Sequence, residues 1–162
     1  MALKILSSSN IPTDLPKLTN KEWNTIGLAG LVLFLMAILQ LASFSDFKGW
    51  MEQTNMAQPA AWAIGIIIAE LWGAAGLFKL GLSPLFRAVS SGLALVASSF
   101  WFIQSLRLFS GSNSGDLKSS GFFGNFLLSE PGWVPVLGST LLLFVVLYSL
   151  ELFSEYYKKH SS

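Results

Sequence analysis

The chain has 162 residues, 52% of them apolar and 12% charged, with a net charge of +1 and a mean hydropathy of +0.58. A charge fraction about half that of a soluble domain makes lipid the expected solvent, and scattered basic residues on a near-neutral chain offer no nucleic-acid surface. Cysteine is absent and His160 is the only histidine, which excludes disulfides, thiolate metal sites and a bis-histidine haem held by this chain alone.

Residues 1–22 form a mostly polar N-terminal segment. Thr19 and Glu22 have capping-box spacing just ahead of the first apolar run, residues 23–44. That run is expected to be a retained span rather than a cleaved signal peptide. A polar stretch precedes it, it is too long, and no small-residue cleavage site follows. A second run covers 59–78, a third 84–108 and a fourth 134–153. Each has about the 20 residues that a helix needs to cross a bilayer core of roughly 30 Å. Pro59 and Pro84 sit where a helix tolerates proline, in the first turn. The expected fold is therefore all-α: a polytopic membrane protein with a four-transmembrane-helix bundle over residues 23–155 and a short tail at 156–162.

The link between the second and third runs is only KLGLS, which makes these helices antiparallel neighbours. The link at 109–133 is long. Its SGSNSG portion has the composition of a flexible linker. Its FFGNFLL portion is too short to span, so it either lies in the interface or against the bundle, or merely covers the bundle's outer end. Four spans place both chain ends on one side, with Lys4, Lys17, Lys21, Lys79, Arg87, Lys158 and Lys159. Lys48, Arg107 and Lys118 fall on the other. The positive-inside rule then makes the side with the termini cytoplasmic. Trp23, Trp50, Trp62, Trp101, Trp133, Tyr156 and Tyr157 fall near span ends, where aromatic residues anchor to the interface.

One residue breaks the apolar pattern of the second span. Glu70 lies about 16 Å along the helix from Pro59, near mid-bilayer. A bare carboxylate is costly in hydrocarbon, so a neutral acid with a hydrogen-bonding partner is expected. Ser98 or Ser99 on the third span lies at matching depth and is the expected donor. Two readings stand side by side: Glu70 binds a polar headgroup or passes a proton, or it locks the second and third spans together or bonds to a partner subunit. Small residues at Ala61, Gly65, Ala69, Gly73 and Gly76 suggest one close-packing face beside it. Gln40, Gln104 and Arg107 lie towards the outer face. With Trp101 and Phe102 they are candidates to line a pocket for a quinone, pigment or lipid headgroup. Snorkelling and interfacial anchoring explain them more cheaply. No serine–histidine–aspartate set, phosphate-cradling glycine loop or metal-spaced carboxylate cluster occurs. Asp46, Glu52, Asp116 and Glu130 read as solvated residues of outer loops.

The stretch FSDFKGWMEQTNMAQPAAWAIGIIIAELWGAAGLFKLGLSPLFRAV resembles the core of the DoxX-like family, which includes MauE-like methylamine-utilisation proteins. The elements that carry the likeness are Phe47, Lys48, Gly49, Pro59, Glu70, Gly73, Gly76, Gly81 and Arg87, and it extends over about residues 40–110. The resemblance implies a compact four-helix membrane bundle that accompanies a redox system, such as thiosulfate:quinone oxidation or oxidant defence, often without an active site of its own. The expected function is thus a non-catalytic membrane subunit or scaffold of a larger redox or bioenergetic complex, contacting other membrane protein subunits, lipids or pigments. The alternative is a quinone-reactive subunit of a membrane oxidoreductase, with Glu70, Ser98, Trp101, Gln104 and Arg107 at the headgroup. A transporter is a weaker fit, because no inverted repeat or pair of broken helices is visible.

Overall fold

Thr19 starts the first helix as its spacing with Glu22 predicts. The Glu22 carboxylate accepts from the Thr19 backbone N–H at 2.6 Å, and the Thr19 hydroxyl accepts from the Glu22 N–H at 3.3 Å. The computed structural model describes residues 15–111, 121–124 and 132–160 and is all-helical. Its elements are α1 (Asn20–Ala42), α2 (Phe44–Gln53), α3 (Pro59–Leu77), α4 (Pro84–Phe109) and α5 (Trp133–His160). Proline stands in the first turn of α3 and of α4, and Ser83 caps α4 by accepting from the Phe86 N–H at 3.2 Å. Helices α1, α3, α4 and α5 are each long and apolar enough to cross a membrane, with mean hydropathies between 1.4 and 2.3 over their best stretches. The part of the long link that reads as flexible linker lies mostly outside the described residues, as do residues 125–131.

Helix α2 is absent from the sequence expectation, which treats this stretch as connection. Phe47, Trp50 and Met51 follow i, i+3, i+4 spacing and all three are buried, while Lys48 and Glu52 pair in solvent at 3.3 Å. The short helix therefore folds its aromatic face into the end of the bundle opposite the chain termini and does not lie loose above it.

Helix α3 packs on both α1 and α4, α4 packs on α5, and α1 meets α5 along a shorter seam. The α3–α4 approach is set by glycine. A Cβ on Gly73 would stand 2.7 Å from the Ala94 backbone, and one on Gly76 would collide with Ser90. Ala69 shares this interior side, but Ala61 and Gly65 face outward. Steps of four residues precess by about 40° each around a helix of 3.6 residues per turn. A stripe built from such steps winds out of the contact within about three of them.

Three tryptophans expected at the interface are core residues instead. Trp101 is fully buried and Trp50 nearly so; Trp23 is buried as well, whereas Trp62 and Trp133 are exposed as interfacial anchors would be. Trp101 lies eight residues before the end of α4, about 12 Å inside it, so nearness to a span end in the sequence overstated its access to the interface.

Candidate functional site

Glu70 is fully buried on α3. Its Oε1 accepts two hydrogen bonds, from the Trp101 indole Nε1 of α4 at 2.5 Å and from the Gln40 amide Nε2 of α1 at 3.3 Å. The same Gln40 Nε2 donates to the Phe122 carbonyl at 2.9 Å. One carboxyl group thus joins three helices, and one amide ties them to residues 121–124 of the long link. The second oxygen of each side chain, Glu70 Oε2 and Gln40 Oε1, is buried with no hydrogen-bond partner among the described residues.

Ser98 is not the partner of Glu70. Its hydroxyl donates to the Leu95 carbonyl of its own helix at 3.1 Å. A buried serine readily satisfies itself on the preceding turn, whereas an indole has no such option and must find its acceptor across the interface. Trp101, chosen from the sequence as a pocket-lining residue, is the donor. Gln104 donates to the Met56 sulfur at 3.3 Å, and Arg107 lies in the last turn of α4, so these two stand beside the cluster and not in it.

Aromatic rings enclose the indole. Phe122 stacks on Trp101 at 4.6 Å between centroids, Phe47 lies at 6.1 Å and Trp50 at 5.6 Å, while Phe100 meets it edge-on at 5.3 Å. The strap 121–124 reaches this position through two glycines with positive φ, Gly121 at +82° and Gly124 at +57°. A Cβ at Gly121 would stand 2.5 Å from the Trp50 ring, and one at Gly124 would overlap the Ser43 hydroxyl. The Phe-Phe-Gly part of the outer link is therefore tucked into the bundle, one of the two placements that its composition allows. On its other side, Phe122 and Phe123 line an apolar cavity of about 170 Å³ in the α1–α5 seam, together with Val32, Met36 and Leu142.

A second buried polar group lies at the opposite end of α4. Arg87, expected at a membrane rim, is fully buried. It donates to the Gly76 carbonyl at 2.9 Å and the Leu80 carbonyl at 2.5 Å, and its guanidinium lies 5.6 Å from the Trp23 ring and 5.1 Å from Phe153. It thus satisfies one carbonyl in the last turn of α3 and one in the turn that follows, and joins the first turns of α1 to the C-terminal part of α5. The sequence held a signal for this, a basic residue four positions after a capping serine, with aromatic residues early in the first span and late in the last. Charge alone argued for the rim.

The four apolar helices and the sealed polar cluster define an all-helical integral membrane protein. No family model, curated protein or solved structure matches the chain.

Proposed function

We propose that the chain is a non-catalytic membrane subunit or scaffold of a larger redox or bioenergetic membrane complex, as its DoxX-like resemblance implies. The observation that supports this reading most is the use made of Glu70. The acid is enclosed, and its hydrogen bonds brace α1, α3 and α4 against one another. Chemistry on a substrate would need the carboxyl group to be reachable. Among the described residues no group of histidine, aspartate and glutamate is spaced to hold a metal ion. Purification in mild detergent from the native membrane tests the proposal. The chain should migrate with other membrane proteins in a stable assembly. A lone chain that turns over a quinone would refute it.

That second outcome belongs to the alternative reading, a quinone-reactive subunit. What favours it is the apolar cavity in the α1–α5 seam, which reaches Phe122, the residue whose carbonyl takes the Gln40 amide. In either reading both termini of the chain are assigned to the cytoplasm on the distribution of lysine and arginine.

A further inference from the structure

Two facts about Gln40 set its orientation. Its Nε2 faces a carboxyl oxygen and a backbone carbonyl, and the carbonyl can only accept. Exchanging the amide oxygen and nitrogen would set oxygen against oxygen twice, so the assignment follows from the bonds themselves. Both amide N–H groups are then used, one on Glu70 Oε1 and one on Phe122. Glu70 Oε1 in turn has both lone pairs filled, by Gln40 and Trp101. What remains is one oxygen on each of two side chains that are already bonded to each other: Glu70 Oε2 and Gln40 Oε1. Both are acceptors, both are buried, and both lack a donor among the described residues. Buried polar atoms are rarely left so, and two in one pair call for an explanation.

We infer that Glu70 and Gln40 form a buried proton-binding site, in which a proton on Glu70 Oε2 is donated to Gln40 Oε1 and closes an acid–amide ring of two antiparallel hydrogen bonds. A single hydrogen satisfies both orphaned oxygens. The carbonyl oxygen of the neutral acid is the one that holds two N–H donors, and the hydroxyl oxygen is the one that holds none, as the accounting requires. The proton comes from water and returns to it, so nothing else is consumed.

The ring has a consequence for the strap. Without the proton, the two remaining oxygens are both acceptors and repel. Gln40 relieves this by turning its N–H groups toward the carboxylate, which takes the second N–H away from Phe122. The proton therefore latches the strap 121–124 over the aromatic cluster. Ionisable residues of the surrounding elements do not share the site. Lys21 and Glu22 are in the first turn of α1, and Lys48 pairs with Glu52 on the exposed side of α2, which also carries Asp46. Arg87 is at the far end of α4 and Arg107 in its last turn, and Glu151 and Glu155 are exposed on the C-terminal part of α5. The polar partners of Glu70 among the described residues are Trp101 and Gln40.

Infrared difference spectra of the purified full chain in lipid nanodiscs test the site. At neutral pH the wild type minus Glu70→Gln should show a protonated carboxyl C=O band that shifts in D2O. A carboxylate band in its place overturns the proposal. Glu70→Gln should itself fold normally, because an amide pair reproduces the two-bond ring; failure of this variant to fold also counts against it. Gln40→Met keeps the volume and removes the acceptor. The acid band should then move to the higher frequency of a less strongly bonded carboxyl, and an unmoved band would assign the proton's partner elsewhere and overturn the pairing. For the latch, a single cysteine replacing Phe123 in this cysteine-free chain reports access to the strap. Thiol labelling should rise with alkaline pH more steeply in the Glu70 chain than in a Glu70→Gln background. The latter carries the thiol's own pH dependence and no removable proton. Identical profiles overturn the latch.

Discussion

At the scale of single residues, the bundle interior is organised by two polar side chains that serve opposite ends. Glu70→Leu leaves the Trp101 and Gln40 N–H groups without their shared acceptor. Hydrogen bonds between membrane helices are worth about 0.6–2 kcal/mol, so Glu70→Leu should lower unfolding stability by about 1–2 kcal/mol in a detergent titration. Glu70→Gln should stay within about 0.5 kcal/mol of the wild type. Equal losses in both variants would mean that the charge or the proton, and not the acceptor geometry, holds the helices. Arg87 makes stronger bonds, because its charge is used on two backbone carbonyls and two rings. Arg87→Met should cost about 2–4 kcal/mol by the same measurement. Arg87→Lys should recover only part of this, because an ammonium is a point donor and cannot match the fork that reaches Gly76 and Leu80 together. A lysine variant as stable as the wild type would refute the fork.

At the scale of elements, the α3–α4 contact is the tightest in the bundle and depends on two glycines. Gly73→Ala places a methyl group against the Ala94 backbone and Gly76→Ala places one against Ser90. Overpacking of this kind costs about 1–3 kcal/mol, since backbone cannot step aside as a side-chain tip can. Gly65→Ala on the same helix meets nothing within 4 Å and should be neutral or slightly stabilising through helix propensity. The contrast between Gly65 and Gly73, two positions eight residues apart, separates packing from intrinsic helix preference. A similar loss at all three glycines would show that propensity dominates. The strap works differently. Gly121 and Gly124 are needed for their positive φ as well as for their lack of a side chain, so alanine there is strained whatever space is made for it.

At the scale of the whole molecule, four membrane-long helices return the chain to the side on which it began. We propose, on the distribution of lysine and arginine, that this side is the cytoplasm. A reporter active only in the cytoplasm, fused after Ser162, should be active. Activity of an outer-side reporter at the same position would reverse the orientation. The outer surface of the bundle is strongly apolar, with Trp62 stacked on Phe100 and Trp72 tilted against Phe86 across the α3–α4 groove. Lipid and neighbouring subunits both suit such a surface, and native purification distinguishes them by what remains bound.

The sequence by itself determined the membrane class, the four spans to within a few residues at most ends, the capping of α1, and the presence of an acid deep in α3. These features follow from local quantities: the length of an apolar run, a capping spacing, a proline in a first turn. Hydropathy also marked Glu70 as an anomaly, since one carboxyl group among apolar neighbours stands out without knowledge of any contact. What only the tertiary structure decided is who answers that anomaly. Gln40, Trp101 and Phe122 come from three separated parts of the chain, and depth along a helix does not say which side chain is long enough to cross the gap. Serine was the expected donor because it is polar and at matching depth, yet a serine inside a helix bonds back to its own turn and the indole reaches over it. Arg87 stands in the first turn of α4, at the span-end depth that its charge predicts, and the tertiary structure decides that it is buried there. Charge predicts a rim depth for an isolated residue, and one carbonyl in the last turn of α3, one in the turn after it and two rings from distant spans enclose it at that depth.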